Sequence, residues 1–112
     1  MPDEDLEPGF EVTIESTGDA DGPAVFTLDG ELDSLAAAQL SDLLARVDSR
    51  APGLVLDMGG VSFIDSSGLR TLIQARQMFP DDPHALQLRN PQASTTRLLE
   101  LTGLADYFSL SS

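Results

Sequence analysis

The sequence predicts a single α/β domain: a mainly parallel sheet with an N-terminal antiparallel strand and crossover helices. Three observations lead there. The chain has 112 residues, the size of one domain. Segments whose apolar residues alternate with polar ones take turns along it with segments whose apolar residues recur at helical spacing. Clusters of Gly, Pro, Asp and Asn mark each change of period. Alternating strands and helices of this kind close into a parallel sheet through right-handed crossovers.

Each element has its own warrant. Residues 1–8, "MPDEDLEP", hold four acids and two prolines among few apolar groups, so 1–9 is expected to be a disordered acidic leader and 10–112 the folded domain. In "FEVTIES", Phe10, Val12 and Ile14 alternate with polar residues, the period of a half-buried strand. "TGDADGP" connects it to a second strand, "AVFTLDGEL", which Gly30 is expected to end. Asp33 and Ser34 precede "LAAAQLSDLLARV", where Ala36, Leu40, Leu43 and Val47 mark one face of a helix, and either polar residue could cap it. "LVLDM" is uncharged up to Asp57 and reads as a central strand. Gly59 and Gly60 are expected to turn the chain, and "VSFI" forms a short apolar approach to a second helix. That helix is expected from Leu69, with Leu69, Leu72, Ile73, Arg76 and Phe79 on one face and Arg70, Gln74 and Gln77 on the outer one. "ALQLRN" is a fourth strand. Asn90 and Pro91 are read as cap and first-turn residues of a third helix that stops near Gly103, and "YFSL" as a last short strand. No internal repeat is evident.

Composition narrows the function. The formal net charge is -13, with nineteen acids against six basic residues, and no basic cluster offsets the repulsion from nucleic acid or an anionic bilayer. A basic protein surface would be attracted, while the acidic surface also keeps a small protein dissolved and favours a monomer. Cysteine is absent, which removes thiol chemistry and fits a reducing compartment, the cytoplasm. No run approaches ~20 apolar residues, and the acidic start lacks the pattern of a signal peptide.

Common catalytic motifs are missing. His84 is the one histidine, set between "PDDP" and a strand, and reads as a surface residue without metal co-ligands. There is no Gly-x-Ser-x-Gly, no Walker lysine and no Gly-x-Gly-x-x-Gly. Nothing selects a pair of carboxylates for acid–base work, so no catalytic residue, metal or cofactor is assigned. What remains is "DSSGL". Asp65, Ser66 or Ser67 could simply cap a helix, and Gly68 would allow close packing at its first turn.

The context of that motif carries a family resemblance. "TLDGELDSLAAAQL", "LVLDMGGVSFIDSSGLRTLI" and "LRNPQASTTRLLELTGL" together resemble the STAS domain of anti-sigma factor antagonists, over about residues 10 to 110. The resemblance implies that Ser66 is phosphorylated by a partner that is both anti-sigma factor and serine kinase, and dephosphorylated by a separate serine phosphatase. It also implies that Asp33 lies near Ser66 in space. Asp33, Asp65, Ser67, Gly68, Leu69 and Arg70 are then the expected partner-binding residues. A phosphate at the helix start would be tolerated by the free amides and dipole there, one serine capping while its neighbour accepts the phosphate. The competing reading is a STAS subunit of a lipid or solute transport system, since the fold identifies an interaction scaffold more firmly than a pathway. A small acid-using enzyme is a distant third.

Overall fold

Alternation becomes layering in the computed structural model, which describes residues 9–112. Five strands, β1 (Phe10–Ser16), β2 (Ala24–Leu32), β3 (Leu54–Ile64), β4 (Leu86–Arg89) and β5 (Ser109–Ser111), form one sheet in the order β1-β2-β3-β4-β5. β1 and β2 are antiparallel and every other pairing is parallel. Three helices fill the crossovers: α1 (Ser34–Leu44), α2 (Ser66–Gln77) and α3 (Ala93–Leu101). β3 is central, as its uncharged start predicts.

One sheet face makes the core. Phe10, Phe26, Leu28, Leu54, Leu56, Met58, Leu86 and Leu88 are buried with Leu40 and Leu44 of α1, Leu69 and Leu72 of α2 and Leu99 of α3. On the opposite face Thr13, Thr27, Asp57 and Arg89 succeed one another across the strands. Parallel strands covered on both faces are usually apolar throughout; here one face is left polar, which is why β2 and β4 alternate.

Several boundaries differ from expectation. Gly59 and Gly60 do not turn the chain but lie inside β3. From Thr27↔Asp57 to Leu32↔Ile64, β3 uses two more residues than β2, one bulge falling where the glycines sit and the other between Val61 and Phe63. A Cβ on Gly60 would stand 2.7 Å from Asp29 Oδ2 and 2.9 Å from the Leu28 carbonyl oxygen, so the close approach of β2 requires glycine. Gly30 likewise bends β2, with φ +116°, rather than ending it. Asn90 is not a helix cap: at φ 56° it ends β4 and donates its N–H to the Ser111 carbonyl at 2.7 Å. The residue before α3 is Gln92, whose side chain donates to the Gly59 carbonyl and leaves the helix without a side-chain cap. Gly103, at φ +76° just past α3, is the expected stop. The last strand lies one to two residues beyond "YFSL", because Phe108 turns into the core. The acidic leader lies outside the described residues, apart from Gly9, whose carbonyl accepts from the Glu31 N–H.

Candidate functional site

The site is built where two neighbouring parallel strands end together. Leu32 and Ile64 are the last paired residues of β2 and β3, and each is succeeded at once by an aspartate and a helix. Asp33 accepts from the Ala36 N–H at 3.0 Å. Asp65 accepts from two, Ser67 N–H at 2.9 Å and Gly68 N–H at 3.0 Å, both on Oδ1. The Asp65 N–H in turn points to the Leu32 carbonyl at 3.4 Å. Two helix N-termini therefore stand side by side on one edge of the domain, with Asp33 and Asp65 between them. The expected proximity of Asp33 to the "DSSGL" segment comes from strand register.

The helix starts three residues earlier than the spacing of its leucines implies, at Ser66. Its cap is Asp65, so neither serine caps: Ser66 and Ser67 are the first two helical residues. Ser66 is exposed and Ser67 half-buried. The amides of Ser67 and Gly68 are consequently already held by the Asp65 carboxylate, and the Ser66 N–H and the helix dipole remain to favour an anion there.

Gly68 and Leu69 are buried, Leu69 with 7% of its surface accessible. That corrects the expectation that Leu69 lines an open partner surface; it anchors α2 in the core. Gly68 acts by what it lacks. A Cβ there would meet the Leu32 carbonyl oxygen at 2.5 Å, Leu32 Cγ at 2.8 Å and Ile64 Cγ1 at 2.9 Å, so glycine lets α2 sit directly on the ends of both strands. Asp33, Asp65, Ser66, Ser67 and Arg70 retain accessible surface on the rim. Thr71 locks the two helices together from below, donating toward the Ala37 carbonyl at 3.4 Å and the Ser67 carbonyl at 3.2 Å. Ser41 Oγ and Gln74 Oε1 meet at 3.0 Å.

Two neighbouring features escape the sequence reading. Leu35, one residue off the inward stripe of α1, is 81% exposed beside a small depression of about 210 Å³ that it shares with Gly9, Phe10, Asp33, Ala36 and Gln39. Its place off the Ala36–Leu40–Leu43 stripe could have revealed it. On the other side, Phe63, Leu98 and Leu101 border a groove of about 460 Å³ with Arg97. Phe63 is 47% and Leu101 78% exposed. Their exposure could not be read from leucine spacing, because Leu98, Leu99 and Leu101 are equally apolar and only the packing of α3 selects Leu99 for the core.

His84 is exposed, as expected, with Nδ1 3.0 Å from Ser109 Oγ. Among the described residues no group of three or more His, Asp or Glu side chains is placed to hold a metal ion, and no helix is long and apolar enough to cross a membrane.

The chain belongs to the STAS domain family, whose model matches residues 12–112 and so takes in both strand-to-helix junctions. Its relatives narrow the likeness to one branch. The chain is 29% identical over 82 residues to the anti-sigma-B factor antagonist of Bacillus subtilis (strain 168), covering 73% of this chain and 75% of that protein. An anti-sigma factor antagonist from Mycobacterium paratuberculosis has the same fold with a TM-score of 0.76 and 28% identity, over 91% of this chain and 85% of that one. The unphosphorylated form of the anti-sigma factor antagonist SpoIIAA matches in fold with a TM-score of 0.70 at 19% identity, over 92% and 88% of the two chains.

Proposed function

We propose that this protein is an anti-sigma factor antagonist of the cytoplasm, acting as ligand and phosphorylation substrate rather than as an enzyme. In its bare form it binds an anti-sigma factor that is also a serine kinase, and so frees a sigma factor. The observation that carries this reading is the exposed Ser66 hydroxyl at the first turn of α2, held on a rim whose supports, Asp65, Gly68 and Leu69, are fixed by the core. The partner's ATP site can reach such a hydroxyl without unfolding the domain.

The chemistry is a single phosphoryl transfer. Ser66 Oγ forms a bond to the γ-phosphorus of ATP as the bond to ADP breaks, and the hydroxyl proton passes to a base on the kinase. The product carries about -1.5 to -2 added charge at pH 7. Asp33 and Asp65 already make this edge acidic, so a partner complementary to the bare rim meets a dianion it must desolvate or repel. A loss of ~3 kcal/mol would lower affinity more than a hundredfold. A serine phosphatase restores the bare form by hydrolysing the phosphate ester.

Incubation with ATP and the cognate anti-sigma kinase, then mass spectrometry, tests the site. A single phosphate on Ser66 is expected; label confined to another residue would overturn it. Capture of a transport ATPase instead of an anti-sigma factor would replace the reading with the transport alternative.

A further inference from the structure

The Asp65 cap leaves a phosphate on Ser66 in an awkward position. Apart from the N–H of Ser66 itself, the first amides of the helix, those of Ser67 and Gly68, are committed to Asp65 Oδ1, and the carboxylate itself is a like charge one residue away. A cation on the same helix face would offset the added charge. The chain has six cationic side chains, all arginines, and two have partners: Arg50 pairs with Asp48 at 2.9 Å, and Arg76 lies over the Tyr107 ring at 4.9 Å and donates to its carbonyl.

Arg70 is placed differently. It stands four residues after Ser66 within α2, exposed like Ser66 itself. Residues i and i+4 of a helix share a face, and an anion N-terminal to a cation is the favourable order. Among the described residues no ion pair engages its guanidinium. Arginine also matches phosphate geometry with two parallel N–H donors.

We propose that Arg70 is the internal counter-ion of phosphorylated Ser66, a positioning residue that draws the phosphate along the α2 surface once it is attached. The inference rests on the reading of Ser66 as phosphoacceptor. It has a consequence for regulation: in the bare protein the Arg70 guanidinium is available to an acidic group of the partner, and in the modified protein the phosphate takes it. Modification then adds a dianion to the rim and withdraws a cation from it in one step.

α1 supplies an internal control. Ser34 comes after Asp33 as Ser66 comes after Asp65, at the same position of a capped helix, but the residue four places on is Ala38. A phosphate there would have the same dipole and the same kind of cap without the arginine on its own helix.

The test installs phosphoserine during translation at position 66 of the full chain, which needs no kinase, and tracks the phosphorus-31 resonance against pH. A nearby cation favours the dianion, so the second phosphate pKa, ordinarily about 6, is expected to be lower by roughly 0.15–0.35 pH unit with Arg70 than in Arg70→Gln. Arg70→Lys should recover part of the shift, and 1 M salt should erase most of it. Phosphoserine at position 34 should respond less to Arg70→Gln. Equal midpoints for phosphoserine 66 with and without Arg70 would overturn the proposal, even where the kinase labels Ser66 efficiently. Conversely, a kinase that ignores Ser66 would sink the functional reading and leave the measured shift intact.

Discussion

The β2–α1 and β3–α2 junctions are two versions of one construction. Each strand ends at the same level of the sheet, each runs directly into Asp-Ser, and each aspartate caps the helix that begins with that serine. The loops that return from the helices also match: Asp48 accepts from the Arg50 N–H and Asp82 from the His84 N–H, while Ala51 and Ala85 donate back to the Asp48 and Asp82 carbonyls. The two junctions diverge immediately after the serine. α1 continues Leu-Ala-Ala-Ala and α2 continues Ser-Gly-Leu-Arg. The first sequence puts an exposed leucine and a small methyl on the rim; the second places a hydroxyl and a cation there and packs its glycine against the strand ends. Equal backbone geometry thus supports two surfaces, one apolar and one polar, side by side on a single edge.

That pairing can be broken at several points, and the largest effect falls on partner binding. Ser66→Asp is expected to lower affinity for the anti-sigma partner by about a hundredfold with little change in melting temperature, whereas Ser34→Asp should cost much less; calorimetric titration of both variants compares them. If the two substitutions weakened binding equally, the second junction would have no special role. Ser66→Ala should stay folded and bind constitutively.

Packing gives the next effect. Gly68→Ala must displace the Leu32 carbonyl or the Ile64 side chain, so destabilisation of about 1–3 kcal/mol is expected in denaturant melts. At the equivalent place in α1, Ala36→Gly should cost about 0.5–1 kcal/mol from chain entropy. The caps differ more finely. Asp65→Ala abandons two amides and should cost about 1–2 kcal/mol, against about 1 kcal/mol or less for Asp33→Ala, which abandons one. Equal losses would mean that the second amide bond of Asp65 contributes little.

The smallest effect separates the return loops. Arg50 donates through its side chain and its backbone N–H to Asp48, which holds that carboxyl down at about 2 from the ordinary 3.8. A group with a depressed folded pKa adds stability above its unfolded value. That contribution should therefore be complete above about pH 4 and fade as pH falls from about 4 to about 2. Arg50→Ala should return the Asp48 midpoint, read by carbon-13 chemical shift, toward the ordinary carboxylate range.

Much of the architecture is legible in the sequence because its causes are local. The alternation in "FEVTIES" and "AVFTLDGEL", the helical stripe of Ala36 and Leu40, and Gly103 as a stop each depend on a few neighbouring residues. The failures share a different cause. Gly59-Gly60 has the composition of a turn, and only the approach of Asp29 and Leu28 from β2 makes it a bulge within a strand. Asn90 has the composition of a cap, but its hydrogen bond to Ser111 commits it to the sheet edge. Leu69 stands on the inward stripe by its spacing and on the partner surface by its place in the motif, and the helix buries it with Leu72.

By itself the sequence determined the order of strands and helices, the polar open face of the sheet, and the Asp-Ser-Ser-Gly segment as the place where chemistry concentrates, because periodicity and side-chain type act over a turn of helix or a few residues of strand. Tertiary structure decided which oxygen caps α2, which leucines are buried, and that Asp33 stands beside Asp65. Those outcomes depend on register between β2 and β3 and on the few ångströms that Gly68 leaves open, and a distance between segments thirty or so residues apart is set by how strands pair, not by either segment alone.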